Sequence, residues 1–215
     1  MKIGILGTGA VGRTIGTKLV ELGHEVRMGS RSADNPKAAE WSGQSASASH
    51  GTFADAAEFG ELLFNCVHGT ASISALHSAG KLNLAGKVLI DVSNSLDFSK
   101  GFPPLLTVCN TDSLGEQIQR AHPEAKVVKS LNTVYSKIMV DPSLVPGEHD
   151  LFMSGNNPDA KATVRMILQD WFGWKNVIDL GDITTARAAE QLLPIWASLS
   201  AAWNTSLFNI HIARA

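Results

Sequence analysis

Met1-Lys2-Ile3-Gly4-Ile5-Leu6-Gly7-Thr8-Gly9-Ala10-Val11-Gly12 opens the chain. Arg13-Thr14-Ile15-Gly16-Thr17-Lys18-Leu19-Val20-Glu21-Leu22-Gly23 and His24-Glu25-Val26-Arg27-Met28-Gly29-Ser30-Arg31-Ser32 continue it. A short apolar run, a Gly-x-Gly-x-x-Gly turn, an amphipathic stretch stopped by Gly23 and a second apolar run together read as a βαβ unit that binds a dinucleotide. Gly7 permits the tight turn out of the strand. Gly9, lacking a Cβ, lets the backbone approach a pyrophosphate. Gly12 lets the helix pack close to the sheet. The helix then turns its unpaired N–H groups and the positive end of its dipole toward the phosphates.

The end of the second strand selects among dinucleotides. A carboxylate there would bond the ribose 2′-hydroxyl of NAD. Here the residues are Gly29-Ser30-Arg31-Ser32. Nothing in this run repels a 2′-phosphate. Ser30 and Ser32 can donate to it, and Arg31 can pair with it bidentately and stack on adenine. NADP(H) is therefore the expected cofactor.

Working outward, 215 residues with 44% hydrophobic content suffice for one domain with a small appendage. A formal net charge of −2 gives no argument for nucleic acid or an anionic membrane as partner. No secretion signal is expected, nor an apolar run long enough to span a bilayer, so a cytoplasmic protein is expected. Cys66 and Cys109 do not make a disulfide framework, and Cys66 reads as a small core residue. No His or Cys pair has metal-ligand spacing, so no metal is expected.

The remaining chain alternates helix and strand. The pattern predicts a helix over Ala33–Gly43, a connection over Gln44–His50 and a short strand at Gly51-Thr52-Phe53. A helix over Ala54–Phe59 and a buried strand over Glu61–Val67 follow. His68-Gly69-Thr70 stands at the carboxyl end of that strand, ahead of a helix over Ala71–Ala79. Gly86–Val92 is another buried strand, ending in Ser93-Asn94. Ser95–Cys109 reads as a long connection, and Thr111–Ala121 as a helix capped by Thr111 or Asp112. Strands are expected at Ala125–Leu131, Asp150–Ser154 and Asn176–Leu180, with a helix over Ala160–Trp171. From Thr185 onward the chain reads as helical, with a kink or break at Pro194. The fold class is thus α/β, a Rossmann-type doubly wound, mostly parallel sheet. Residues 1–185 form the dinucleotide-binding domain. Residues 186–215 form a C-terminal helical extension that either packs as core or, through Trp196 and Trp203, meets a second subunit in a homodimer.

In such a sheet, ligands bind beyond the carboxyl ends of the strands. Gly7–Gly12, Ser30–Ser32, Val67-His68-Gly69, Ser93-Asn94 and Asn132-Thr133-Val134 should share one crevice. His68 is a candidate hydrogen-bond donor or proton acceptor beside the nicotinamide, or a strand-end residue bonded locally. Asn94 and Asn132 can orient a carboxamide or an acceptor ring, or simply make turns. Neither His68 nor Asn132 is firmly catalytic. Hydride transfer asks little of side chains, because the cofactor carries the reactive atom. Tyr135 stands two residues before Lys137, so the Tyr-x-x-x-Lys arrangement of short-chain alcohol dehydrogenases is missing.

Four segments carry a family resemblance: Ile3–Gly12, Met28–Ser32, Val88-Leu89-Ile90-Asp91-Val92-Ser93-Asn94 and Lys126-Val127-Val128-Lys129-Ser130-Leu131-Asn132-Thr133-Val134. On these, nearly the whole chain resembles the coenzyme F420-dependent NADP oxidoreductases, to which the reductase domains of the STEAP metalloreductases are related. The resemblance implies that Thr8, Gly9, Ala10 and Val11 cradle the pyrophosphate and that Ser30 and Arg31 hold the 2′-phosphate. It also implies that the segments at His68 and at Asn132–Val134 flank nicotinamide and acceptor. The acceptor would be a deazaflavin, coenzyme F420, or a flavin such as FMN or FAD. Deazaflavin reductases carry His-Thr-Ile-Pro where this chain has Asn132-Thr133-Val134-Tyr135, and a Pro-Trp-like pair where it has His68-Gly69. Both departures fall on the acceptor side. Two alternatives stand beside the reductase: a non-catalytic NADP-binding redox sensor, and a β-hydroxyacid dehydrogenase or imine reductase. The latter needs a long helical second domain and a catalytic lysine or other acid, and only 30 residues follow Thr185.

Overall fold

Near-continuous apolar runs make strands that can be covered on both faces, and such runs form the centre of six strands set side by side in parallel. The computed structural model describes residues 1–214. Its strands are β1 (Lys2–Leu6), β2 (Glu25–Ser30), β3 (Ala48–Thr52), β4 (Leu62–Asn65), β5 (Val88–Asp91), β6 (Leu96–Asp97), β7 (Leu105–Leu106), β8 (Lys126–Ser130), β9 (Asp150–Gly155) and β10 (Asn176–Gly181). The helices are α1 (Ala10–Glu21), α2 (Pro36–Ser42), α3 (Phe53–Phe59), α4 (Gly69–Ala79), α5 (Lys81–Leu84), α6 (Leu114–Ala121), α7 (Ser136–Val140), α8 (Pro158–Met166), α9 (Ala186–Gln191) and α10 (Leu193–Trp203).

The main sheet has the order β10-β9-β8-β5-β4-β1-β2-β3. From β3 to β8 every pair is parallel, β9 runs antiparallel to β8, and β10 is parallel to β9. Strand order reverses between β1 and β4, so the crevice at their carboxyl ends is the place a ligand enters such a sheet. Alternate strand residues feed two cores. Ile3, Ile5, Phe64, Ile90 and Val128 join Ile15 and Leu19 of α1 and Trp41 of α2 on one face. Leu63, Leu89 and Val127 join Ala56, Leu76 and Ile118 of α3, α4 and α6 on the other. This is the doubly wound arrangement that the apolar periodicity predicts.

Several local expectations change. The third strand begins at Ala48, inside the expected connection, and pairs Val26 with Ala48 through Ser30 with Thr52. It is an edge strand with one neighbour, so a small, polar sequence suffices. Phe53 belongs to α3 because Thr52 caps that helix: its side chain accepts from Asp55 N, and the Asp55 carboxylate accepts from Thr52 N at 2.7 Å. Helix α6 is capped by Ser113, not by Thr111 or Asp112. Asp112 is instead drawn into a pair with Arg120 at 2.7 Å. The long connection Ser95–Cys109 holds a small antiparallel ladder, Leu96 opposite Leu106 and Asp97 opposite Leu105. Helices α5 and α7 carry too few residues for a helical period to show in sequence.

The C-terminal segment is helical only to Trp203. Pro194 stands in the first turn of α10, where its missing N–H costs nothing, and so marks the break expected there. Asn204 ends α10 in the left-handed conformation with φ 50°. The chain then runs without helix back to β9, where the Ile210 carbonyl accepts from Asp150 N and Asp150 Oδ2 accepts from Ile212 N. Phe208 anchors this return between Trp196, stacked at 5.7 Å, and Trp203, edge-on at 5.2 Å. Trp203 is still 57% exposed, so the pair is not wholly core. Among the described residues, no helix is long and apolar enough to cross a membrane, and no group of three or more His, Cys, Asp or Glu is placed to hold a metal ion.

Candidate functional site

The glycine turn leaves β1 as the spacing requires. Gly7 has φ 118°, and a Cβ there would lie 2.7 Å from the Cys66 carbonyl oxygen of the adjoining strand end. A Cβ on Gly12 would lie 2.3 Å from the Gly7 carbonyl oxygen, so the first turn of α1 folds back onto the loop. Gly9 differs from both. It is exposed, and a Cβ there would meet nothing within 4 Å. The fold therefore leaves open space at Gly9, at the N-cap of α1, where unpaired N–H groups gather. That space fits a pyrophosphate.

At the end of β2, the Ser30 side chain turns inward. Its hydroxyl donates to the Ser32 carbonyl and accepts from Ser32 N at 3.2 Å, bending the chain around Arg31. Arg31 and Ser32 are exposed, and Arg31 has no ion pair among the described residues. A guanidinium without a protein partner beside an open phosphate cradle suits a 2′-phosphate.

The loops after β4, β5 and β8 meet one another. Val67 is half-buried, and His68 is the exposed N-cap residue of α4, its Nδ1 2.9 Å from Thr70 Oγ1. Gly69 approaches the next loop so closely that a Cβ would lie 2.1 Å from the Asn94 carbonyl oxygen. Asn94 Nδ2 donates to the Asn132 carbonyl at 2.8 Å, and Asn132 Nδ2 donates to Asn94 Oδ1 at 3.0 Å. Ser93, Asn132, Thr133 and Val134 are buried. The loops at the ends of β4, β5 and β8 thus form one wall, and both expected asparagine roles, turn and orientation, are spent first on binding each other. Asn132 Oδ1 remains buried and without a partner among the described residues.

The sequence reading gave no role to the charges beneath that wall. Lys129 and Asp91 are fully buried and paired at 2.8 Å, and Lys129 also meets Glu190 of α9 at 3.0 Å. Burial alone would depress the Lys129 ammonium, but Asp91 and Glu190 outweigh it and hold its pKa above the ordinary lysine value. A signal was present: a lysine and an aspartate sit inside otherwise apolar strand runs, Val127-Val128-Lys129 and Leu89-Ile90-Asp91, where an unpaired charge would be very costly. Leu131 is a second feature that sequence could not show. Its φ of 63° puts a leucine in the left-handed region at the turn that delivers Asn132 to Asn94, a conformation costing about 1–3 kcal/mol. Cys66 is no nucleophile. Burial, and after it the charge of Asp91, pushes its thiol far above the ordinary value.

The family described as NADP oxidoreductase coenzyme F420-dependent matches residues 2–95. A protein from Arthrobacter sp. FB24, provisionally assigned as an F420-dependent NADP reductase, has a crystal structure with 51% identity and a TM-score of 0.94, each chain covering 100% of the other. Metalloreductase STEAP3 of Rattus norvegicus is 30% identical over 91% of this chain, which spans 38% of that protein's length. Metalloreductase STEAP2 of Homo sapiens is 27% identical, and the chain spans 35% of its length. A reductive aminase from Aspergillus terreus, solved in complex with NADPH and ethyl levulinate, shares the fold with a TM-score of 0.64 at 21% identity, over 94% of this chain and 61% of that one.

Proposed function

Because the chain belongs to the coenzyme F420-dependent NADP oxidoreductase family and is an NADP-dependent oxidoreductase, we propose that it passes a hydride between NADPH and a flavin-like ring, either the deazaflavin F420 or FMN or FAD. When bound, the dinucleotide supplies the hydride from its nicotinamide, so that NADPH and a proton from solvent reduce the acceptor and leave NADP⁺. The chain's own residues bind and orient. Thr8, Gly9, Ala10 and Val11 hold the pyrophosphate through backbone N–H groups. Ser30, Arg31 and Ser32 take the 2′-phosphate. The Asn94–Asn132 pair fixes the wall against which the nicotinamide lies. His68, exposed at the mouth of that wall, faces the acceptor.

The observation that carries this reading is the open, Cβ-free space at Gly9 beside an unpaired Arg31. A ring acceptor is favoured because the wall offers backbone, amides and an exposed imidazole, and its one lysine lies fully buried beneath it. Incubation with NADPH and, separately, F420, FMN and FAD, following the absorbance of reduced nicotinamide, tests the reading. Turnover with a ring acceptor is expected. NADPH binding without turnover on any of them would instead favour the redox sensor. A homodimer remains part of the proposal, and sedimentation equilibrium checks it.

A further inference from the structure

One carboxylate ties the loops after β4 and β5 to strand β8, whose end carries the third loop of the nicotinamide wall. Asp91 Oδ1 accepts from Asn65 Nδ2 at 2.8 Å, from Ser93 N at 3.2 Å and from Ser93 Oγ at 2.6 Å, while Oδ2 accepts from Lys129 Nζ at 2.8 Å. Each partner leads on to a loop. Asn65 Oδ1 accepts from Val67 N at 3.4 Å, and Asn65 Nδ2 donates to Ser72 Oγ at 3.1 Å, whose hydroxyl lies 3.4 Å from the His68 carbonyl. Lys129 donates to the Ser93 carbonyl, one residue before Asn94. Its remaining donor meets Glu190. All three ammonium protons are thereby used, and Lys129 has none to give a substrate.

Glu190 extends the tie to other elements. Its carboxylate also accepts from Leu114 N at 2.9 Å and Gly115 N at 3.0 Å, at the N-terminus of α6. Two carboxylates and one ammonium leave a net negative charge, and the positive end of α6 offsets it. Each ion taken out of water costs several kcal/mol, and apolar side chains of similar volume would often serve stability as well. Stability is therefore a poor account of three buried ions. Their placement is informative, because the branches from Asp91 and Lys129 end on backbone groups of the nicotinamide wall, and Glu190 brings α9 and the N-terminus of α6 into the same network.

We propose that Asp91, Lys129 and Glu190 are positioning residues: a buried charged tie that sets the three loops around the nicotinamide half of the dinucleotide and makes their geometry depend on α9 through Glu190. The proposal rests on the NADP reading above. The adenosine half, held by Gly9 and Arg31 at the ends of β1 and β2, lies outside the tie.

That division supplies the test. NADPH and 2′,5′-ADP, which lacks the nicotinamide, are titrated calorimetrically against the wild-type protein and three variants. Glu190→Gln removes one charge at constant shape. Ser72→Ala cuts the branch to His68 and leaves every charge in place. Val164→Ala loosens the core on α8, away from the tie. Glu190→Gln is expected to weaken NADPH about tenfold and leave 2′,5′-ADP within about twofold. Ser72→Ala should weaken NADPH about threefold, again without affecting 2′,5′-ADP, and it carries the test if Glu190→Gln does not fold. Val164→Ala should lower the melting temperature but keep the ratio of the two affinities. Equal loss of both ligands in Glu190→Gln and Ser72→Ala, or no loss of either, overturns the positioning role. Failure of the wild type to bind 2′,5′-ADP is a different result: it refutes the NADP assignment itself.

Discussion

Three Gly→Ala substitutions in one turn should separate binding from folding. Gly9 has φ −73° and ψ −178°, a backbone any residue adopts, and its added Cβ meets nothing within 4 Å. Alanine is a poorer N-cap than glycine by a few tenths of a kcal/mol or somewhat more, and it regains about 0.4–1 kcal/mol through a less flexible unfolded chain. The two nearly cancel, so Gly9→Ala should melt within about 2 °C of wild type. In Gly12→Ala, the Cβ would stand 2.3 Å from the Gly7 carbonyl oxygen, a backbone atom that cannot swing away. Overpacking of this kind costs about 1–3 kcal/mol, and a chain of this size loses about 2–4 °C per kcal/mol. Gly7→Ala adds a left-handed φ of 118° to a 2.7 Å clash and should lose at least as much. Binding should show the opposite order for Gly9. Its methyl group would occupy the pyrophosphate space and remove at least one charge-assisted backbone contact worth about 1.5–3 kcal/mol, which weakens NADPH about ten- to a hundredfold. Calorimetric melting and NADPH titration on the three proteins make the comparison. A Gly9→Ala protein that binds NADPH like wild type, or that melts as low as Gly12→Ala, would refute the pyrophosphate cradle.

Two further outcomes are expected. Arg31→Ala should weaken NADPH about tenfold or more, through loss of a contact worth about 1.5–3 kcal/mol, leave NADH nearly unchanged and leave the melting temperature alone, since Arg31 is exposed and has no ion pair among the described residues; equal loss of both nucleotides would make it structural. His122 is 2% exposed, with both ring nitrogens unpartnered among the described residues and the His77 ring 5.1 Å away. Burial first, then the neighbouring His77 and Lys81, hold its pKa below the ordinary value of 6.5. The unfolded chain therefore takes up a proton that the folded state resists, and stability should fall as pH drops below 6.5, levelling off once the folded imidazole titrates. Denaturant midpoints across that range, compared with His122→Phe, check this. An identical pH slope in the variant would count against it.

The parallel-sheet architecture and the glycine turn with its carboxylate-free strand end were legible because they rest on local rules. Apolar runs of strand length, a glycine spacing, a helix stop and a carboxylate-free strand end are each read within a few residues. Those same rules failed where the determinant was local but subtle, or was not local at all. The edge strand Ala48–Thr52 has one neighbour and so needs no apolar pattern. Helix α7 is five residues long, shorter than two turns. The C-terminal segment stops being helical after Trp203 because Phe208 packs between two tryptophans and the chain returns to β9. That is a tertiary decision overriding a helical composition.

By itself the sequence pointed to a dinucleotide site at Gly7–Gly12 and to Arg31 as the partner of a 2′-phosphate, because glycine geometry and side-chain charge act within one βαβ unit. It also determined that Asp91 and Lys129 would lie in strands. Only the tertiary structure decided that these two charges meet, 38 residues apart in the chain, that Glu190 joins them from a helix near the far end, and that Asn94 and Asn132 bond each other across the wall. A buried ion is tolerable only with a partner. The partner is chosen by which strands the sheet sets side by side, and no spacing along a single chain records that choice.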